Sequence, residues 1–426
     1  MVPCVQKHRS RKHWHAIVLV AGSWLGMVAH AQVTTPEGAD ESGWSVKGFG
    51  TLGAAYHNST GVNFRRNISQ AQGAQAGRVS LAPDSMLGLQ VSAQWGPQWQ
   101  AAVQLASQDS LDRDYRPGVS WGYVRHAFRE DAAWRVGRLG IEMYSQGDGD
   151  AVGYASLAVR PVATFYPSTM DGVDVEMTRA LGEGTARLKA AYGWVRGRLQ
   201  SGGYNPYTLD GSRFAVVMAD FAYHPWTLRV GLGQQKTRHE SSTPELDTLR
   251  NALMGIPPNG PEIVERSLMR GRRINYLSAS LSYDEGPVQA AANYVSWRSS
   301  GWAPQHVFYG HAGYRIGKTT PYMTFQWQKA RRDTLPTGIP QGVSLEGDQL
   351  NEGAALVQAA SRANMWGLGF GVRHELTSRS ALKLQWDHIW YRDPNYIADQ
   401  ALLAQPYAER TPKRLNLLSM AWEFVF

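Results

Sequence analysis

Apolar and polar residues alternate one by one through segment after segment of this chain. Leu382, Leu384 and Trp386 interleave with Lys383, Gln385 and Asp387. Met323, Phe325 and Trp327 do so with Thr324, Gln326 and Gln328, and Leu228, Val230 and Leu232 with Arg229, Gly231 and Gly233. A period of two gives a strand one apolar and one polar face. Sixteen such segments can be laid out, near 44–57, 83–95, 97–109, 117–129, 132–142, 171–181, 184–197, 212–224, 226–238, 272–284, 286–298, 304–316, 319–331, 363–376, 379–392 and 412–426. Their connections alternate as well. Seven are tight, around Trp95-Gly96-Pro97, Glu130-Asp131, Gly182-Glu183, His224-Pro225, Glu285-Gly286, Gly317-Lys318 and Thr377-Ser378. Between them lie longer ones, the longest near 58–82, 143–170, 239–271 and 332–362. A water-soluble sandwich has no reason to alternate short and long connections. An all-β closed antiparallel barrel threaded through an outer membrane does, with short periplasmic turns and long extracellular loops.

Composition narrows the choice further. Charged residues are 18% of the 426, against about 25% in an ordinary soluble domain, yet the mean hydropathy is only −0.37. No stretch beyond the N-terminal region approaches the roughly 18 consecutive apolar residues of a spanning helix. Backbone groups in hydrocarbon must be satisfied within the protein, which leaves a closed barrel. At about sixteen strands a barrel encloses water, so its inward faces can be polar. Trp44, Trp95, Trp99, Trp134, Trp226, Trp390, Tyr391, Trp422 and Phe424 are candidates for aromatic girdles at the two interfaces.

The N-terminus reads as an export signal. Lys7, Arg9, Arg11 and Lys12 precede the apolar run Ala16–Val28, which ends in Ala29-His30-Ala31. Cleavage after Ala31 is expected, leaving a short segment at 32–43 and one barrel domain over 44–426. It removes Cys4, the only cysteine, and takes the formal charge from +8 to +4. The mature chain then has no disulfide or thiol metal site, and its charge gives no argument for nucleic acid.

The two ends of the mature chain carry a resemblance. Met420, Trp422, Phe424 and Phe426 share one face of a final strand that stops at a phenylalanine, and Val46-Lys47-Gly48-Phe49-Gly50-Thr51-Leu52-Gly53 opens the first strand on a G-F-G run. In both respects the chain resembles the Gram-negative outer-membrane porins. The resemblance implies a sixteen-stranded barrel that passes small hydrophilic solutes by passive diffusion. It also implies a homotrimer in outer-membrane lipid and lipopolysaccharide, and a last strand, with Trp422, Phe424 and Phe426, read by the barrel-assembly machinery. The third outside loop, about 143–170, would fold inward and constrict the pore. Asp148 and Asp150 on that loop would then face wall residues Arg125, Arg135, Arg138, Arg187, Lys189 and Arg229. Asp148 and Asp150 can equally form a solvated turn between glycines, and Arg160 can line the aperture or only hold the loop. The loop lacks the Pro-Glu-Phe-Gly-type run of the general porins.

Candidate inward bases (Lys47, Arg135, Arg187, Lys189, Arg229, Arg273, Arg373 and Lys383) outnumber candidate inward acids (Asp174, Glu176, Asp387 and Glu423), which points to a mild anion preference. Trp134, Val136 and Arg138 share a face, so either a bulge intervenes or Arg138 points to lipid. Gly367, Gly369 and Gly371 alternate, leaving room for a loop or a close packing partner in the lumen. Gly48-Phe49-Gly50-Thr51-Leu52-Gly53 matches G-x-G-x-x-G, but no helix follows. No histidine spacing suits a metal and no G-x-S-x-G elbow is present. No catalytic residue, cofactor or metal is therefore expected. The alternatives are a plugged, non-conducting barrel used for attachment, or a barrel hydrolase.

Overall fold

The computed structural model describes residues 43–60, 63–143, 153–160, 167–201, 204–359, 362–392 and 413–426. Its strands are β1 (Gly43–His57), β2 (Asn63–Phe64), β3 (Ala74–Gln75), β4 (Met86–Trp95), β5 (Trp99–Gln108), β6 (Gly118–Arg129), β7 (Ala132–Gly140), β8 (Thr169–Leu181), β9 (Gly184–Val195) and β10 (Arg198–Ser201). There follow β11 (Tyr204–Thr208), β12 (Ser212–Tyr223), β13 (Trp226–Lys236), β14 (Arg273–Glu285), β15 (Val288–Ser299), β16 (Gln305–Tyr314), β17 (Thr319–Ala330), β18 (Ala363–Thr377), β19 (Ser380–Tyr391) and β20 (Arg414–Val425). Sixteen of them close one antiparallel barrel, each paired to its neighbour in chain order, and β20 returns to β1. The two-residue pair β2–β3 and the pair β10–β11 are hairpins within loops. All sixteen expected segments are wall strands.

Burial in this barrel runs opposite to that of a water-soluble protein. Along β19, Lys383, Gln385 and Asp387 are buried, while Leu384 is 49% and Trp386 43% exposed. The apolar face is the outside. It is stable only in an apolar solvent, as in a bilayer. One ring of outward aromatics runs straight across the sheet: Tyr294, Phe308, Trp327, Trp366 and Trp390 are successive cross-strand partners. The Trp366 and Trp390 rings stack at 3.8 Å. At the tight-turn end, Trp226 meets Tyr283 at 4.7 Å and Trp99 meets Trp134 at 5.8 Å. Tyr391 does not belong to a girdle; it is buried on the inner face with Met365 and Ile389.

The seam between β1 and β20 is built from glycine and phenylalanine. Gly48 and Phe426 exchange two backbone hydrogen bonds, each 2.9 Å. The Phe426 ring lies over Gly48, and the Phe424 ring over Gly50, where a Cβ would collide. The terminal aromatics thus cover bare backbone at the closing joint, with only glycine small enough beneath them.

The first and fourth outside loops pack inward on the wall. Phe64 and Ala74 of the first loop pack on inward residues Ala55, Met365, Leu415 and Leu417. Tyr207 of the fourth packs with Phe214, Tyr276 and Trp297. The long connections at 239–271 and 332–362 contain helices: α1 (Pro244–Met254), α2 (Gly260–Ser267) and α3 (Leu345–Ala359). Leu253, Ile263, Val264 and Ala354 join them. The start of α1 follows from its sequence, because Thr243 caps it by accepting from the Leu246 N–H at 3.2 Å and Pro244 opens it.

Gly48→Val should push Phe426 off the seam and overpack it, at about 1–3 kcal/mol. The check is thermal unfolding of the refolded barrel in detergent. The variant should unfold at lower temperature, and an outward-facing Leu384→Val should change it far less.

Candidate functional site

Charge alternates strand by strand on one inner wall. Arg135 of β7 is opposite Asp174 of β8, Glu176 of β8 is opposite Lys189 of β9, and Asp220 of β12 lies between Arg187 of β9 and Arg229 of β13. The resulting ion pairs are short: Arg135–Asp174 2.6 Å, Arg187–Asp220 2.5 Å and Arg229–Asp220 2.7 Å. Arg125 meets Glu176 at 3.6 Å.

The third loop enters this wall directly. Beyond β7 the chain leaves the sheet, and Glu142 reaches Lys189 at 2.7 Å, Arg187 at 3.1 Å and Arg135 at 3.6 Å. Met143 is fully buried among inward residues of β12 and β14, and its carbonyl accepts from the Ser278 hydroxyl. The absence of side chains at Gly231 and Gly233 leaves the space it fills. Five wall bases (Arg125, Arg135, Arg187, Lys189 and Arg229) thus stand among four acids (Glu142, Asp174, Glu176 and Asp220). The wall is a neutralised lattice with one positive charge in excess, not a free basic surface.

The later part of the same loop, residues 153–160, lies against the inner face of β1 and β18–β20. Lys383 is fully buried, pairs with Glu423 at 2.6 Å, and donates to the carbonyls of Gly153 at 2.9 Å and Ser156 at 2.5 Å. Arg373 donates to the carbonyls of Tyr154 at 2.6 Å and Ser156 at 2.7 Å. The Val159 N–H donates to Gln385 at 2.9 Å. Arg160 closes the segment. Its guanidinium holds Asp84 through two hydrogen bonds of 2.8 and 2.5 Å and stands 3.7 Å from Asp387. Of the two occupants expected at the glycines of β18, close packing partners from the wall are found there: Tyr322 lies over Gly371, and Thr324 and Asp387 crowd Gly369. Leu157 of the loop sits over Gly313 on β16. The described parts of the loop therefore hold both walls of the lumen.

The structure brings together Arg125, Arg135, Arg187, Lys189 and Arg229 on one wall and places Arg160 on the other. Arg138 does not join them. β7 keeps its alternation through Gly137, so Arg138 shares the outer face with Val136, 50% exposed, and pairs there with Asp171 at 2.7 Å. Arg273 is likewise outside, since its neighbour Ile274 is the buried one. Asp148 and Asp150 lie outside the described residues; among the described residues the acid at the loop's start, Glu142, meets the wall. Sequence reading passed over Glu142 because segment 132–142 looked like continuous strand. It passed over Asp220 because both faces of β12 are apolar, which hides the parity, and over Asp84 because no periodicity reaches it.

No protein-family model matches the sequence, and no curated protein does. Solved structures do match. The anion-selective porin from Comamonas acidovorans superposes with a TM-score of 0.51 at 12% identity, over 91% of this chain and 100% of that one. OmpF of Salmonella typhi, solved in complex with daunomycin, gives 0.53 at 10%, over 90% and 97%. A loop L8 deletion mutant of OmpT, an outer membrane protein of Vibrio cholerae, gives 0.51 at 9%, over 91% and 100%. The fold is that of the outer-membrane porins. The resemblance first seen at two short terminal motifs extends, as fold, along the whole barrel.

Removing one member of a buried ion pair leaves the other charge uncompensated, at about 3–5 kcal/mol. Lys383→Met should destabilise the porin fold by that order, because Glu423 is 1% exposed. Lys383→Met with Glu423→Met should recover most of the loss. Urea unfolding in lipid vesicles is the check.

Proposed function

We propose that this chain, exported by cleavage of residues 1–31, is a porin of a Gram-negative outer membrane that passes small hydrophilic solutes by passive diffusion. The observation that carries the reading is the third loop, which meets a charge-lined inner wall at Glu142 and the opposite wall at Arg160, inside a barrel whose outer face is apolar. Such an aperture sorts solutes by size and by the dipoles they present. No covalent step is involved. The single positive excess among the wall pairs supports at most a mild anion preference. The trimer form solved for OmpT of Vibrio cholerae supports a homotrimer here, and the outward-facing seam aromatics Trp422, Phe424 and Phe426 support recognition of the last strand by the assembly machinery.

A second reading, a plugged barrel, draws on the same loop. It is fastened to both walls, and apolar clusters capped by the first and fourth loops occupy inward faces near the long-loop end.

Single-channel recording of the refolded mature chain in a planar bilayer decides between them. Stable conductance steps, with a reversal potential slightly toward anions in a salt gradient, are expected. Glu142→Gln removes one of four wall acids and should move the reversal potential further toward anions. A folded barrel without steps would establish the plug.

A further inference from the structure

We infer that the third loop carries a second selecting point, built by Tyr154 at the tight-turn mouth of the lumen and sorting solutes by girth rather than by charge; the inference rests on the channel reading above. The loop leaves β7 at the long-loop end, yet its later part reaches the opposite end of the barrel. Arg160 stands at the level of Asp387. Tyr154 stands at the level of Glu375, which pairs with Ala381. Asp387 and Ala381 are six residues apart on β19, about 20 Å along a strand. Ala381 adjoins the tight turn at Thr377-Ser378, and the Tyr154 hydroxyl reaches that turn, 3.0 Å from the Ser378 carbonyl.

The side chain is fixed there by several contacts at once. Its hydroxyl is also 3.2 Å from the Glu375 carboxylate. The Arg373 guanidinium lies over its ring at 4.8 Å, and Arg373 in turn donates to Glu375 at 2.6 Å. Gly153 lets the backbone press against the wall, since a Cβ there would stand 2.6 Å from Glu423 and 2.8 Å from Thr51. The same turn still faces the lumen: Tyr154 is half-buried and Ala155 exposed. A ring held at the mouth takes up width that a loop ending at Arg160 would leave open. Charge is matched at this level, Arg373 by Glu375 and Lys383 by Glu423. The ring therefore limits diameter without favouring either sign, whereas Glu142 and its wall act on charge.

Liposome swelling with glucose and a series of longer neutral maltosaccharides reads the size limit of the full refolded barrel. Tyr154→Ala should shift that limit upward and raise single-channel conductance, with no change in reversal potential. Tyr154→Phe keeps the ring on Arg373 and should keep the limit. Glu142→Gln should show the opposite split, a moved reversal potential with the size limit unchanged. An unchanged limit in a folded, conducting Tyr154→Ala barrel would overturn the inference. Equal widening by Tyr154→Phe would also overturn it, because it would mark a loosened loop rather than a missing ring. Placement is read separately, with a polymer-linked maleimide too bulky for the lumen, applied outside sealed proteoliposomes that hold the barrel in one prevailing orientation. Ala155→Cys leaves Tyr154 in place. It should label in the same fraction of molecules as Glu183→Cys in a tight turn, and labelling in step with Glu346→Cys on α3 would contradict the placement. A non-conducting unaltered barrel would refute the channel reading and the filter with it, while the labelling, which needs no conductance, would still locate the turn.

Discussion

Every wall strand depends on one joint. In hydrocarbon, an open sheet edge would leave a row of peptide groups with no partner, each costing several kcal/mol. Pairing β1 with β20 removes both edges at once, over Phe49–His57 and Leu417–Val425. The pairing joins residues some 370 positions apart, so nothing local in the chain enforces it. The glycines at 48 and 50 and the rings of Phe426 and Phe424 make the joint close, covering backbone that would otherwise be bare on the lipid side.

Closure creates the lumen, and the lumen makes a charge lattice possible. Lys189 and Lys383, 1% and 0% exposed, are inward side chains held by carboxylates and loop carbonyls. Burying them alone would be prohibitive. Here Glu142 and Glu423 meet them at 2.7 and 2.6 Å, and the loop that brings Glu142 is fastened by the second lysine. The same contacts that satisfy the charges also fix where the aperture lies. In the proposed channel, selectivity and loop stability would then be properties of one network, and substitutions in it would move both.

The wall was legible because period-two alternation is strong where lipid lies on one side and polar groups on the other, as at Leu382–Asp387. It failed where that contrast is weak or the chain leaves the sheet. β12 is apolar on both faces at Phe214–Met218, so Asp220 gave no parity. β7 ends at Gly140 because Ile141, Glu142 and Met143 turn inward, although their pattern still reads as strand. Asp84 sits just ahead of β4, held by Arg160 of the third loop, and no local rule links residues 76 apart. The α1 helix went unread, although Thr243-Pro244-Glu245-Leu246 is a capped start of ordinary kind.

The central claim is that inward faces meet water and outward faces meet lipid. The mature chain, by the expected cleavage, has no cysteine, so adjacent single cysteines on β8 test it directly. A bimane label at Val175→Cys should be quenched by a nitroxide-bearing lipid and ignore an aqueous quencher. A cysteine at Glu176→Cys should react with a water-soluble thiol reagent and be protected from the lipid quencher. Water access at both positions, or the reverse assignment, would contradict the account.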